Sequence, residues 1–192
     1  MSPEPSPLPS LVVVATPEEA AHVPPGLPLL VTGVGKVAAA AAVAAQLARH
    51  PGAYREVLNV GTAGALRNGV NGLHLPSVVL NHDISAQALA AIGYQVPDRL
   101  EVEGGDGSVL ATGDTFVTTP EARAALARRA HLVDMEGFAV AWACRQAGVA
   151  CRLVKHVSDN ADASALSWPE VVEASALVLG RWLSARTGAP LS

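Results

Sequence analysis

The feature that most restricts the fold is a repeated unit: a short apolar, β-branched run that ends in glycine or polar residues and is followed by a helical stretch. Leu11–Ala15 ends at Thr16 and Pro17, which predict a turn and a short helix carrying Glu18 and Glu19 just beyond a strand end. Leu29–Thr32 meets Gly33-Val34-Gly35, and the alanine-rich Lys36–Arg49 then predicts a helix stopped by Pro51 and Gly52. Val57–Val60 runs into Gly61-Thr62-Ala63-Gly64, Ser77–Leu80 into Asn81-His82-Asp83, and Ser108–Ala111 into Thr112-Gly113-Asp114-Thr115-Phe116. Glu121–Ala130 predicts an exposed amphipathic helix. His131–Asp134 reads as a brief strand, Met135–Ala147 as a helix closed by Gly148, Cys151–Val157 as a strand, and Trp168–Arg186 as the last helix.

Strands alternating with helices predict an α/β fold: a single domain with a mostly parallel central sheet flanked by helices on both faces, and ligands beyond the carboxyl ends of the strands. The expected organisation is a frayed Pro/Ser-rich N-terminus over residues 1–10, one domain over 11–186 and a tail over 187–192.

Composition narrows the function. Half of the 192 residues are hydrophobic and 16% are charged, which fits a buried core and excludes intrinsic disorder. A net charge of −4 with singly scattered basic residues argues against a nucleic-acid polymer as partner. No apolar run approaches the roughly 20 residues of a membrane-spanning helix, and the first ten residues lack the pattern of a secretory signal. The expectation is a soluble, cytoplasmic protein with no membrane association. Cys144 and Cys151 give neither a disulfide framework nor zinc spacing, and read as small hydrophobes in a reducing compartment. The histidines show no metal-ligand spacing and no serine-hydrolase elbow is present, so no metal is expected. The tryptophans read as packing residues.

Several motifs sit where ligands are expected. Gly33-Val34-Gly35-Lys36 fails as a phosphate loop, because Leu30 and Val37 stand where a glycine and a hydroxyl are required. It is either a tight turn or a contact to a small molecule. Gly61-Thr62-Ala63-Gly64 reads equally as a plain strand-to-loop turn or as backbone open to a ligand, with the Thr62 hydroxyl available to a water or sugar oxygen. In Asp134-Met135-Glu136, Asp134 suits helix capping, while Glu136 opens an almost wholly apolar helix and so suits a semi-buried cleft. Lys155-His156-Val157-Ser158-Asp159-Asn160 ends the last strand with a set of proton-carrying groups and puts Asp159 at the ligand-binding edge of the sheet, though turn chemistry alone also accounts for Ser158-Asp159-Asn160. Glu19, Glu136 and Asp159 at three strand ends form a constellation suited to acid–base chemistry on a polar small molecule.

Taken together, Ala15–Glu19, Thr32–Ala39, Asn59–Gly64, His82-Asp83 with Gly93-Tyr94, Ala111–Phe116, Asp134–Glu136 and Val157–Asp159 resemble the purine nucleoside phosphorylase-like superfamily. Within it the likeness is to the 5′-methylthioadenosine/S-adenosylhomocysteine nucleosidases, from about Leu11 to Trp182. The resemblance implies cofactor-free hydrolysis of the N-glycosidic bond of a 5′-modified adenosine: methylthioadenosine, adenosylhomocysteine or 5′-deoxyadenosine, with futalosine-type nucleosides a variant. It gives Asp159 the protonation of purine N7, Glu19 the activation of water, and Glu136 the ribose hydroxyls and developing cation. Met135 then packs on the sugar, Phe116 stacks on the purine and Val117 presents its backbone to the base edge. Thr62 positions the water, and Val34, Ala63 and Ser158 complete the binding set.

Superfamily phosphorylases carry an arginine where this chain has Asn59 and a basic residue where it has Pro17-Glu18-Glu19, so hydrolysis is expected over phosphorolysis. A phosphorylase and a non-catalytic nucleoside-binding protein are the rival readings. The likeness further implies a homodimer in which Ile92 and Tyr94 approach the partner's pocket. The chain is shorter than typical members, with the first hairpin and the lid over the 5′-substituent trimmed.

Overall fold

Alternation along the first strand shows how the layers form. β1 (Ser10–Val14) is wholly buried, and its period of two sends Leu11 and Val13 to one face and Val12 and Val14 to the other. Leu11, Val13 and Val57 meet Ala39, Val43 and Leu47 of α1 (Lys36–Arg49) and the apolar side of α4 (Gly137–Ala147). Val12 and Val14, with Leu58, Val60 and Val154, meet Leu179 and Leu183 of α5 (Trp168–Thr187). A sheet apolar on both faces needs a helical layer on each, and this chain supplies both. The structure is a computed structural model and describes residues 8–162, 165 and 168–190.

The remaining elements are β2 (Leu29–Val31), β3 (Glu56–Ala65), β4 (Leu73–His74), β5 (Val78–Asn81), α2 (Ala86–Ala91), β6 (Arg99–Glu101), β7 (Val109–Thr112), α3 (Pro120–Ala127), β8 (Leu132–Asp134) and β9 (Ala150–Asp159). They form one mixed sheet in the order β2-β1-β3-β8-β7-β5-β6, with β9 on β3 and β4 on β9. The β1–β2, β1–β3, β3–β9, β5–β7 and β7–β8 pairs are parallel; β3–β8, β4–β9 and β5–β6 are antiparallel.

The expected strands and the helices α1, α3, α4 and α5 are present within a few residues of their predicted ends. Four differences stand out. The segment after Pro17 is a run of turns, not a helix, closed by Ala20 N–H to Pro17 O and Ala21 N–H to Glu18 O. Ser10 belongs to β1, buried and bonded to Glu56 at 2.9 Å, so the strand begins one residue inside the expected frayed end; residues 1–7 lie outside the described residues. Thr187 completes α5 and does not begin a tail. Most consequentially, Gly61-Thr62-Ala63-Gly64 is not a turn but the second half of β3.

That long strand creates the opening for a site. Over residues 56–59 its one edge is held by β1, and at Gly64 and Ala65 the same edge is taken by β8. Between these contacts no strand of the described residues pairs with that edge, while β9 follows the other edge from Glu56 to Gly64. The sheet therefore parts beside Gly61, Thr62 and Ala63.

Candidate active site

A backbone N–H left without a strand partner must find another acceptor. In the parting of the sheet, Thr62 N–H donates to Glu19 Oε1 at 2.7 Å, and the Thr62 hydroxyl donates to the same oxygen at 2.9 Å. Glu19 Oε2 accepts from Ala15 N–H at 3.1 Å, and the Glu19 amide approaches Thr16 Oγ1 at 3.4 Å. The turns after β1 thus fold a buried carboxylate back over β3. Gly61 is the residue that permits it, since a Cβ there would stand 2.9 Å from Glu19 Oε1. Gly64 plays the same part further along: its Cβ would lie 2.9 Å from Ala161 Cβ and 3.0 Å from Asp159 Oδ1. The glycines of this segment make room for two acids; neither has a positive φ.

Asp159 stands at the end of β9, where the ladder with β3 slips: Val157 pairs with Ala63 and Asp159 with Gly64, leaving Ser158 as an extra residue. Such a bulge turns consecutive side chains toward one side, which strict alternation forbids. Ser158 and Asp159 accordingly line the same cavity, with Ser158 Oγ donating to Asp159 Oδ2 at 2.7 Å and Ala161 N–H to Oδ1 at 2.8 Å.

Glu136 is the N-cap of α4 and is buried. Its Oε1 accepts from Gly35 N–H at 2.8 Å, so the glycine turn before α1 aims an amide at a protein carboxylate. Beneath it Asp134 Oδ2 accepts from Gly137 N–H at 2.8 Å and from Lys155 Nζ at 2.9 Å, and Oδ1 accepts from the Thr112 hydroxyl at 2.5 Å. Asp134 thus accepts the first amide of α4, while Glu136 lines the cavity. Burial and the Asp134 charge raise Glu136 from its ordinary 4.5 to about 7, against the opposing pull of Lys155 and the Gly35 amide. Burial pulls the Lys155 ammonium down, but Asp134, Glu136 and Glu19 outweigh it and raise it overall.

These groups surround one cavity of about 440 Å³. It is lined by all ten residues to which the sequence assigned catalysis or binding: Glu19, Val34, Thr62, Ala63, Phe116, Val117, Met135, Glu136, Ser158 and Asp159. Phe116 and Val34 are half exposed at its mouth. Ile92 and Tyr94, about two-thirds exposed, do not line it. Among the described residues the lining carries four carboxylates and no arginine or lysine, and Asn59 is buried with its amide donating to Val13 O. Lys36 is likewise committed: its ammonium contacts Asp83 and donates to Asn81 at 2.9 Å, while its amide donates to Asp114 Oδ1. Among the described residues no cluster suited to a metal ion occurs, and no helix is long and apolar enough to cross a membrane.

Lys155, expected among the proton-carrying groups at the end of the last strand, is buried and bonds Asp134, which lines the cavity. One residue lining the cavity escaped the sequence reading. Trp168 was expected to serve packing only. It lines the cavity, and its indole N–H donates to Thr62 Oγ1 at 2.8 Å; the chain gives no local signal for this.

The fold and the cavity define the class. Residues 27–181 match the Phosphorylase superfamily, and the chain belongs to that family. It is 29% identical over 154 residues to the aminodeoxyfutalosine nucleosidase of Helicobacter pylori strain J99, covering 67% of this chain and 66% of that protein. The chain thus matches just under two thirds of that relative's length. It is 28% identical over 159 residues to the 5′-methylthioadenosine/S-adenosylhomocysteine nucleosidase of Shewanella loihica, covering 68% of this chain and 67% of that one. In fold it superposes on a mutant Helicobacter pylori nucleosidase holding 5′-methylthioadenosine in its active site, with a TM-score of 0.82, 22% identity and coverage of 95% and 99%. The Neisseria meningitidis nucleosidase in complex with methylthio-immucillin-A gives 0.80 at 23% identity, covering 96% and 100%.

Proposed function

We propose that the chain is a cofactor-free purine nucleosidase that hydrolyses the N-glycosidic bond of a 5′-modified adenosine, such as methylthioadenosine, adenosylhomocysteine or 5′-deoxyadenosine. The observation that carries this reading is the meeting of Glu19, Glu136 and Asp159, from three different parts of the chain, on the walls of one cavity. In this mechanism Asp159 donates a proton to purine N7 as the C1′–N9 electron pair passes to the base. Water adds to C1′ and its proton goes to Glu19. Glu136 holds the ribose hydroxyls and, when ionised, stabilises the positive charge growing on the sugar. Met135 and Val34 contact the sugar and its 5′-substituent, Phe116 stacks on the purine and the Val117 backbone meets its edge.

The carboxylate-rich lining supports water over phosphate as nucleophile, because a phosphate dianion in this cavity would meet acids and no guanidinium. Release of base from a panel of 5′-modified adenosines and inosines, with and without phosphate, tests the proposal. The expected result is adenine release that ignores phosphate. Release strictly dependent on phosphate would make the chain a phosphorylase, and tight binding without product a nucleoside-binding protein.

The partner we propose is a second copy. α2 buries none of its residues, and Ile92 and Tyr94 that follow it are exposed. The Lys36–Asp83 and Lys36–Asp114 bonds tie this segment and the Phe116 loop to the start of α1, where Val37 is 79% exposed. An apolar rim of this kind beside a cavity suits closure by another subunit. The proposed compartment is the cytoplasm, where the two free cysteines stay reduced.

A further inference from the structure

We infer that Trp168 is a positioning residue that, acting through Thr62, fixes which oxygen of Glu19 takes the proton from water. The inference rests on the proposed role of Glu19 as base. A threonine hydroxyl owns one proton, whereas an indole N–H can only donate. Trp168 Nε1 stands 2.8 Å from Thr62 Oγ1, and Thr62 Oγ1 stands 2.9 Å from Glu19 Oε1. With the indole proton occupying a lone pair on the Thr62 oxygen, the hydroxyl proton is directed to Glu19.

Oε1 then receives two protons from Thr62, the hydroxyl at 2.9 Å and the amide at 2.7 Å. Among the described residues Oε2 receives only the Ala15 amide, at 3.1 Å. Oε2 is therefore the oxygen with capacity left, and water delivers its proton there while its oxygen bonds C1′. The C1′–N9 pair leaves with the purine, which takes the Asp159 proton. Without the indole N–H the Thr62 hydroxyl is free to rotate, and both oxygens of Glu19 compete for the water.

The test combines kinetics with a signal that needs no turnover. Trp168→Phe keeps the aromatic bulk and removes the donor. It is expected to lower kcat about tenfold and to leave KM within about twofold, the pattern of an interaction made in the reacting complex and not in binding. Thr62→Val is expected to lower kcat comparably, Trp168→Phe added to it to cost nothing further, and Thr62→Ser to retain near-normal kcat. In the ligand-free protein, the Trp168 indole N–H proton resonance, assigned by its loss in Trp168→Phe, is expected to move upfield in Thr62→Val and to stay in Thr62→Ser. Wild-type kcat in Trp168→Phe, additive losses in the double variant, or an indole resonance indifferent to Thr62→Val each overturn the inference. Should the wild-type chain release no base, the proposed function fails, and the resonance alone decides the hydrogen-bond arrangement.

Discussion

At Glu136, burial and charge act on one carboxyl in ways that can be read out separately. It lies near 7 in the folded chain, raised first by burial and then by Asp134, against an ordinary 4.5. Between those values the native state holds a proton that the unfolded chain has lost, so stability falls as pH rises through the window. Glu136→Gln has no such proton to lose. From pH 5 to 8 the wild type is expected to lose about 2–3 kcal/mol relative to Glu136→Gln in urea unfolding; parallel pH curves would refute the assignment. Asp159→Asn and Glu19→Gln are expected to abolish base release, with losses of at least about a hundredfold, while circular dichroism and melting stay near wild type. Near-normal turnover in either removes that residue from its role. Single residues also show where sequence reasoning stops. Glu19, Glu136 and Asp159 were legible because each follows an apolar run whose period ends there. Trp168 was not, because its partner Thr62 is 106 positions away and only the packing of α5 brings them together.

Among the elements, β3 carries most of the difference between expectation and structure. Glycine normally punctuates, so Gly61-Thr62-Ala63-Gly64 suggested a turn. Here glycine serves close approach within a strand, and the side chains that need the space are those of Glu19, Asp159 and Ala161. That cause is tertiary and leaves no local mark. The short elements β4, β6 and α2 were equally invisible, being of two, three and six residues without a usable period. By contrast α1 was legible at both ends, from Gly35 to Arg49. Its first turn has a further duty. The Asp83 carboxylate joins the Lys36 ammonium to the Asp114 amide, which it accepts at 2.8 Å, and so anchors the loop that presents Phe116. Burial pushes Asp83 up, but Lys36 and the Asp114 amide outweigh it and hold it below the ordinary carboxylate range. Asp83→Asn is expected to raise KM about three- to tenfold with little change in kcat. A kcat loss at constant KM would show that the loop serves the chemistry and not the holding of the base.

For the whole molecule, what matters is how much of the site one chain completes. The chain supplies all three acids to one cavity, but leaves Val34 and Phe116 half exposed and Ile92 and Tyr94 exposed. Sedimentation is expected to give about twice the chain mass of 19.6 kDa. Ile92→Asp, which puts a charge into the proposed contact, is expected to yield monomers with a raised KM. A wild-type monomer with full activity would remove the second subunit from the account. The central claim, that these acids deliver water to the anomeric carbon, is tested most directly by turnover of methylthioadenosine in ¹⁸O-enriched water, with mass analysis of both products. The account predicts one heavy oxygen in the released sugar and none in the adenine, whether or not phosphate is present. An unlabelled sugar phosphate, or no cleavage at all, would contradict it.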